Sequence, residues 1–216
     1  VGSTPIAQSI YSHATSLGKR AQCFGGAKNH LIIMPDADID AAADALIGAA
    51  FGSAGERCMA ISVAVPVGEK TADRLVAALE QRMEGLTLGA SDDPDADYSA
   101  LVTAEARARV EDYIQVGVDE GAELRVDGRG ATVAGHEKGF YVGATLFDRV
   151  TADMRIYREE IFGPVLSVIR AETFEDAVKL PSQHECGNGV SIFTRDGQAA
   201  RDFATRVEVG MVGINV

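Results

Sequence analysis

The sequence has no tryptophan and only three cysteines among its 216 residues, and it carries fewer basic than acidic side chains. Three cysteines cannot all pair, which excludes the disulfide framework on which small secreted domains depend. The 20 Lys and Arg face 32 Asp and Glu, giving a formal net charge of −12. A nucleic-acid binder needs a basic face for phosphates, so no nucleic-acid partner is expected.

Long apolar runs are also missing from the sequence. No stretch approaches the roughly 18–20 residues that cross a bilayer, and no signal peptide opens the chain, so no membrane partner is expected. With 46% hydrophobic residues, the composition is too apolar for intrinsic disorder and suits a soluble globular chain. Because the cysteines are too few for a disulfide framework, we expect a reducing compartment, the cytoplasm, in which the thiols are free for chemistry.

Helical and strand-like patterns alternate along the chain. Apolar or β-branched runs predict strands, and amphipathic stretches between them predict helices. Thr4, Asp38 and Thr103 are candidate N-caps, and Pro5 suits a first helical turn. Repeated strand–helix–strand units favour one α/β domain with a mainly parallel sheet covered by helices. The predicted strands are 30–34, 61–67, 122–126, 141–148, 164–171, 190–194 and 211–216; the predicted helices are 5–17, 38–51, 71–86, 198–207 and two that begin at Thr103 and Thr173.

The segment AAFGSAGERCMAIS places Cys58 in a glycine-containing turn between an alanine-rich helix and a β-branched strand. Arg57 beside it, together with backbone amides of the turn, would favour the thiolate that attacks a carbonyl. A buried cysteine that acts as a small apolar residue is the alternative interpretation. Cys23 and Cys186 lack such surroundings and are predicted to be packing residues.

The four histidines offer little support for other cysteine or metal chemistry. None lies in a recognisable Cys–His signature, and no Cys or His pair has the spacing of metal ligands, so no metal is expected. His30 opens a predicted buried strand, which favours a packed histidine over a catalytic base.

The segment REEIFGP, residues 158–164, puts two carboxylates beside an aromatic ring and a Gly-Pro turn. An ionised glutamate accepts two donors and can therefore hold the two hydroxyls of a ribose. A phenylalanine next to it can pack against a nicotinamide ring. The residues alone leave this interpretation level with that of a solvated turn whose Phe162 lies in the core.

Five short motifs occur in order along the chain: GST at 2–4, GGAKNH at 25–30, GERCMA at 55–60, EEIFGP at 159–164 and GINV at 213–216. In this order and spacing they resemble the aldehyde dehydrogenase superfamily over essentially the whole chain. GAKNH and GERCMA resemble in particular the CoA-acylating methylmalonate-semialdehyde dehydrogenases of that superfamily. The resemblance implies the α/β catalytic-domain fold of these enzymes, with Cys58 as the nucleophile.

One departure from the usual superfamily pattern concerns the general base. The usual first turn reads ELGGK, whose glutamate activates water, and alignment on Lys28 puts Phe24 in the place of that glutamate. Phe24 cannot take a proton, so water attack on a thioester should be slow and a thiol acceptor is favoured. The resemblance thus implies NAD-dependent oxidation of malonate or methylmalonate semialdehyde. The β-carboxylate would be lost by decarboxylation, with a proton replacing it on carbon, and coenzyme A would collect the acyl group as acetyl-CoA or propionyl-CoA.

The resemblance also implies roles for further residues. Glu160 would hold the nicotinamide ribose of NAD, and Phe162 would lie against the nicotinamide. Ser3 would contact the cofactor pyrophosphate from a helix N-terminus, and Gly25 would line the nicotinamide side of the site. Arg57 would pair the carboxylate of the semialdehyde substrate with two hydrogen bonds; thiolate activation and a surface ion pair are the alternatives.

Both ends of the chain are expected to be cut from a longer protein, because Val1 has no preceding Met and the last residues stop on an apolar strand-like run. The resemblance implies that residues 1–30 are the trailing edge of the NAD-binding domain and residues 31–216 the catalytic domain. The upstream NAD-binding half, with an oxyanion-binding Asn, and a C-terminal oligomerisation arm would then be absent. The full-length protein would be a homo-tetramer, and the isolated chain is expected to be inactive. For Asn215, which matches a family asparagine, a structural hydrogen-bonding role is expected.

Two other functions remain open from the sequence. A non-acylating aldehyde dehydrogenase would hydrolyse its thioester with another base, and dependence on coenzyme A separates it from the acylating enzyme. An inactive fragment kept as a binding or assembly module would lack a reactive Cys58, and thiol labelling separates that case.

Overall fold

Seven strands form one sheet in the computed structural model, which describes residues 1–216. In chain order they are β1 (Asn29–Ile33), β2 (Ile61–Pro66), β3 (Glu123–Val126), β4 (Thr145–Asp148), β5 (Val165–Val168), β6 (Gly189–Phe193) and β7 (Met211–Ile214). Across the sheet the order is β3-β4-β5-β2-β1-β6-β7, and every neighbouring pair is parallel except β3 and β4. The predicted α/β fold with a mainly parallel sheet is therefore confirmed.

The helices connect and cover these strands. They are α1 (Thr4–Ser16), α2 (Ile39–Phe51), α3 (Glu69–Met83), α4 (Ala104–Asp119), α5 (Arg155–Arg158), α6 (Phe174–Gln183) and α7 (Gly197–Arg206), and a 3-10 turn spans Gly52–Gly55. None of these helices is both long enough and apolar enough to traverse a bilayer.

The inner strands are buried along their whole length, except for Ile61 and Ser62 at the start of β2. All five residues of β1 and all five of β6 lie in the interior, whereas the edge strand β3 is only half covered. Strands of a parallel sheet are shielded on both faces by helices, which is why the apolar runs in β1 and β2 are continuous rather than alternating. On α2, Ala42 and Ala43 are fully buried, and such small side chains let a helix pack closely on its neighbours.

Two of the three predicted N-caps are confirmed. The Asp38 carboxylate accepts a hydrogen bond from the Ala41 N–H at the start of α2, and Thr103 caps α4 in the same way. The prediction that Thr4 caps α1 is wrong, because the capping position falls on Ser3 and its side chain makes no capping hydrogen bond. The Thr4 hydroxyl is instead the acceptor for the N–H of Gly26, 2.9 Å away. The Thr4 hydroxyl, which the local pattern assigned to capping α1, therefore binds a residue that is distant in sequence.

Several predicted elements differ in their bounds from those observed. The helix predicted over 71–86 is α3, which begins two residues earlier, and the strands predicted over 141–148 and 164–171 shorten to β4 and β5. Helix α5 between them was not predicted, because four residues are too few to show a helical period.

A buried group of rings fixes α5 against β1. The Nδ1 of His30 lies 2.9 Å from the Lys28 carbonyl oxygen, and its Nε2 lies 3.0 Å from the Tyr157 hydroxyl. Since a carbonyl oxygen can only accept, Nδ1 carries the proton, and Nε2 is an acceptor that shares the single Tyr157 hydroxyl proton with the Leu180 carbonyl oxygen, 3.1 Å from that hydroxyl. Burial, together with the neighbouring ring of His184, lowers the pKa of His30 to about 3. The prediction of a packed His30 is confirmed.

His30 is expected to make the fold sensitive to mild acid. In the unfolded chain its imidazole takes up a proton near pH 6.5, whereas in the fold it stays neutral down to about pH 3. Its contribution to stability is therefore complete above pH 6.5 and is lost as the pH falls from 6.5 towards 3. Between pH 7 and pH 5 this loss should amount to about 2 kcal/mol of the free energy of unfolding.

Urea denaturation at pH 7 and pH 5 measures this effect. His30→Gln should be less stable at pH 7 but should show a smaller loss between the two pH values than the unsubstituted chain. His136→Gln, at an exposed position, serves as the control and should keep the full loss. An equal pH dependence for His30→Gln and the unsubstituted chain would contradict the assignment.

Candidate active site

Cys58 lies in a tight turn between α2 and β2. The residues that lead to it, Ser53, Ala54 and Gly55, have positive φ values of 53°, 52° and 70°. Such left-handed conformations are unfavourable for residues with a side chain and persist only where the surrounding structure enforces them. The Cys58 side chain is exposed. The predicted turn is confirmed, and the alternative of a buried, inert cysteine is wrong.

The carbonyl oxygen of Cys58 is hydrogen-bonded, whereas its backbone N–H is not. Its carbonyl oxygen accepts the side-chain amide N–H of Asn29 at 3.0 Å and that of Asn188 at 2.7 Å. Asn29 also donates to the Ala60 carbonyl at 2.7 Å, so one side chain binds the carbonyl oxygens of Cys58 and of the residue two positions after it. The backbone N–H of Cys58 donates to no acceptor in the chain. It is therefore available to a negatively charged oxygen beside the sulfur.

A close approach of two backbones joins the turn of Cys58 to the turn that carries Glu160 and Phe162. A Cβ added to Gly55 would stand only 2.2 Å from the carbonyl oxygen of Gly163. Only glycine fits at this crossing, which couples the placement of the nucleophile to that of the second turn. Phe162 itself has a φ of 58° and is 37% exposed, so it does not belong to the core.

The two carboxylates of the REEIFGP segment have separate roles. Glu160 turns towards the glycine-rich turn, and its Oε1 accepts the Ala27 N–H at 2.9 Å. Glu159 turns away, accepting from the Tyr113 hydroxyl at 2.6 Å and from Arg155 Nε at 2.9 Å. The hydrogen bonds from Arg155 and Tyr113 hold the pKa of Glu159 below its ordinary value. The two carboxylates, adjacent in sequence, therefore bind different parts of the structure.

A buried lysine fixes the backbone in front of Glu160. The ammonium group of Lys28 donates to the carbonyl oxygens of Ile156, at 2.7 Å, and Glu159, at 2.8 Å. Burial lowers the pKa of Lys28 to about 8, and the nearby Glu160 carboxylate opposes this shift. Two adjacent residues thus position Glu160. The Ala27 N–H binds the side chain of Glu160, and the Lys28 ammonium binds the backbone carbonyl oxygen of the preceding residue, Glu159.

A cleft of about 640 Å³ opens between these segments. Cys58, Glu160 and Gly25 line it, as does Phe24 in the place where the usual superfamily pattern has its base. The cleft-lining residues are Val1, Cys23, Phe24, Gly25, Gly26, Ala27, Cys58, Glu160, Gly187, Asn188, Gly210 and Met211.

The remaining candidate residues lie beside this cleft. Arg57 and Phe162 line a small adjoining cavity of about 20 Å³ together with Cys58 and Glu160. Ser3 lines neither space, but its neighbour Thr4 contacts the glycine-rich turn, because a Cβ on Gly25 would lie 2.8 Å from the Thr4 hydroxyl oxygen. The structure therefore brings four of the other five predicted site residues to Cys58 and leaves Ser3 at the margin.

Arg57 is held differently from the expectation. Its Nη2 donates to the carbonyl oxygens of Gly48, at 2.6 Å, and Ala49, at 2.9 Å, at the end of α2. Both two-donor edges of a guanidinium include an Nη2 proton, and both of these protons are in use. In this orientation a substrate carboxylate could reach only Nη1 or Nε, so the expected pair of hydrogen bonds is not available.

Sequence analysis missed the polar residues that support the site. The segment GAKNH was noted as a motif, but the roles of Lys28 and Asn29 were not predicted, although two polar residues at the start of an apolar strand were a usable signal. Cys23 was predicted to be a packing residue, but it is half-buried and lines the cleft. For Cys186, burial raises the pKa of the thiol, in keeping with a packing role. Asn215 pairs with both backbone polar groups of Thr194, which confirms its structural role.

Comparison with known proteins agrees with this geometry. A model described as "Aldehyde dehydrogenase family" matches residues 1–216. The chain is 60% identical over 216 residues to a malonate-semialdehyde dehydrogenase of Pseudomonas aeruginosa, covering 100% of this chain and 44% of that protein. It is 45% identical over 216 residues to the mitochondrial methylmalonate-semialdehyde/malonate-semialdehyde dehydrogenase [acylating] of Rattus norvegicus, covering 100% of this chain and 40% of the relative.

A solved structure shares the fold throughout. It is provisionally named as a methylmalonate-semialdehyde dehydrogenase of Sinorhizobium meliloti 1021 and is complexed with NAD. The TM-score is 0.98 at 61% identity, over 100% of this chain and 44% of that one. The chain thus spans less than half the length of the relatives it matches. From the five motifs, the site geometry and these matches, we conclude that the chain belongs to the aldehyde dehydrogenase family.

Proposed function

We propose that this chain carries the catalytic thiol of an NAD-dependent, CoA-acylating dehydrogenase that acts on malonate or methylmalonate semialdehyde. The observation that carries the proposal is the cleft in which an exposed Cys58 faces Phe24 instead of a general base. The only carboxylate that lines this cleft is Glu160, and the Ala27 N–H holds one of its oxygens. The bacterial and rat relatives are named for the same substrates, which supports this proposal, and the rat enzyme is named as acylating.

The first step in this proposal is addition of the Cys58 thiolate to the aldehyde carbon. A carbon–sulfur bond forms, and the carbonyl oxygen becomes an alkoxide. The N–H of Cys58, which has no partner in the chain, would donate to this oxygen. Asn29 and Asn188 bind the carbonyl oxygen of Cys58 and so hold the peptide group on the other side of its Cα.

The residues around the cleft fit NAD. One oxygen of Glu160 is bound to the Ala27 N–H, which leaves the other to accept ribose hydroxyls. A Cβ on Gly26 would lie 3.0 Å from that second oxygen, so the glycine keeps the space beside it open. NAD bound here would supply the hydride acceptor for oxidation of the carbon attached to Cys58, which would leave the acyl group on the sulfur as a thioester. We propose that Phe162 lies against the nicotinamide and that Gly25 lines its pocket.

Ser3 would contact the pyrophosphate of the cofactor. Its side chain makes no hydrogen bond to α1, and the first backbone N–H groups of a helix have no partner within the helix. Such an N-terminus favours negative charge.

The acyl group then leaves Cys58 for a thiol rather than for water. Phe24 has no group that removes a proton from water, whereas coenzyme A brings its own nucleophilic sulfur. The β-carboxylate of the substrate would leave as carbon dioxide, and the adjacent carbon would keep the electron pair and take up a proton, so that the products are acetyl-CoA or propionyl-CoA. Arg57 would contact this carboxylate through Nη1 or Nε, the donors left free by α2.

The division of the chain into two domains also remains a proposal. Residues 1–30 would be the trailing edge of the NAD-binding domain, and residues 31–216 the catalytic domain. Helix α1 supports this division, because it buries only Ala7 and leaves Ile6 and Ile10 more than half exposed. A homo-tetramer and a cytoplasmic location remain predictions. The bacterial relatives are named without a compartment, and those from rat and Arabidopsis thaliana are named as mitochondrial.

Steady-state NADH formation by the full-length enzyme tests the proposal. With malonate semialdehyde as substrate, turnover should require coenzyme A and yield acetyl-CoA. Cys58→Ser should abolish turnover, and Cys186→Ser, at a half-buried thiol, is the matched control. Equal turnover with and without coenzyme A would mean that water is the acceptor.

Substitution of Phe24 tests why the acceptor is a thiol. Phe24→Glu places a carboxylate in the cleft beside Cys58 and should raise NADH formation in the absence of coenzyme A by about 10-fold or more, since a positioned general base contributes about 100-fold or more. Phe24→Gln has nearly the same size but cannot accept the proton and should give no such gain. The explanation fails if Phe24→Glu leaves the CoA-free rate unchanged or if both variants raise it equally.

A further inference from the structure

Gly52, the residue after α2, has no backbone reason to be glycine. Its φ of −53° and ψ of 137° are open to any residue with a side chain. A Cβ at this position would nevertheless stand 2.9 Å from Nη2 of Arg57, 3.1 Å from Cζ and 3.3 Å from Nη1. The absence of a side chain at Gly52 therefore leaves space for the Arg57 guanidinium and is not required by the backbone conformation.

The guanidinium that fills this space is held but has no anionic partner. The carbonyl oxygens of Gly48 and Ala49 bind its Nη2, at the C-terminal end of α2, where a cation is favoured. Arg57 takes part in none of the ion pairs of the chain, although acidic side chains exceed basic ones by 32 to 20. Arg57 and Cys58 both line the small cavity described above. The residue before Cys58 thus carries an exposed positive charge that has no anionic partner and is held at the end of α2.

We propose that Gly52 is a specificity-determining residue: the space it leaves places Arg57 so that aldehydes bearing a carboxylate are preferred over neutral aldehydes of the same length. This inference rests on the proposed function and adds the residue that sets its substrate class. Gly52 does not touch the substrate and acts through Arg57.

The effect of a side chain at this position follows from the contacts. A methyl group at Gly52 would overlap the far end of a long, flexible side chain, so the guanidinium can move aside while the backbone stays in place. Such a movement breaks both hydrogen bonds to the end of α2. Gly52→Ala is therefore expected to fold and to displace Arg57 from the position in which it faces the substrate carboxylate.

The experiment compares malonate semialdehyde with propanal, which replaces the carboxylate by a methyl group at the same chain length. In the full-length enzyme, kcat/KM is measured for both aldehydes with NAD and coenzyme A. Gly52→Ala should lower the ratio of the two values, carboxylate-bearing over neutral, by about 10-fold or more, as expected for loss of a hydrogen bond to a charged group. Turnover of propanal should stay within about twofold of the unsubstituted enzyme.

Gly197→Ala is the matched control. A Cβ at Gly197 would lie 3.5 Å from Nη1 of Arg201, an ordinary contact between an added methyl group and a guanidinium away from the cleft. Its substrate ratio should not change. Arg57→Leu should lower the ratio at least as much as Gly52→Ala, and the double variant should lower it no further than Arg57→Leu alone, because both changes remove the same interaction.

The outcomes separate this inference from the proposed function. If the unsubstituted enzyme forms NADH from neither aldehyde in the presence of coenzyme A, the proposed function fails. If it is active but Gly52→Ala keeps the original ratio, or loses activity on both aldehydes equally, the inference about Gly52 is overturned. Should Gly52→Ala not fold, Arg57→Leu tests the same contact without altering the turn, because it removes the charge, and an unchanged ratio would likewise overturn the inference.

Discussion

The candidate site depends on the hydrogen bonds of four consecutive residues, Ala27–His30, where the chain enters the central strand β1. The Ala27 N–H binds the side chain of Glu160, and the Lys28 ammonium binds the backbone just before Glu160. The Asn29 amide binds the carbonyl oxygen of Cys58, and the His30 ring binds the hydroxyl of Tyr157. All four residues are buried. Buried polar groups are costly without partners, so each of these bonds specifies one arrangement of the segments around it.

This constraint explains where the site lies in the sheet. Ligands of open α/β sheets usually bind beyond the carboxyl ends of the strands. Here Cys58 precedes β2, Glu160 precedes β5 and Asn188 precedes β6, so the candidate residues gather at the amino ends of the parallel strands. The entering residues of β1 lie between these segments and are within hydrogen-bond distance of each. The close approach of Gly55 to Gly163 then joins the nucleophile turn to the turn with Glu160.

The sequence predicts the parts of this arrangement that depend on local pattern. Alternating elements, the caps at Asp38 and Thr103 and the turn of Cys58 follow from periodicity and composition, and all are confirmed. The parts that depend on distant partners were not predictable. Glu160 and Lys28 are separated by about 130 residues from their hydrogen-bond partners, so nothing local distinguishes Glu160 from Glu159. The same holds for the Thr4 hydroxyl, which a residue 22 positions away removes from its expected capping role.

The central claim is that Cys58 carries the acyl group and that the cleft cannot pass it to water. Mass spectrometry of the full-length enzyme tests this claim directly, after incubation with NAD and propanal but without coenzyme A. If Cys58 carries the acyl group, we expect a propionyl adduct on the peptide that contains Cys58, close to one per active site, which disappears when coenzyme A is added. A Cys58 that stays unmodified while NADH accumulates over many turnovers, or an adduct on Cys23 instead, would contradict this claim.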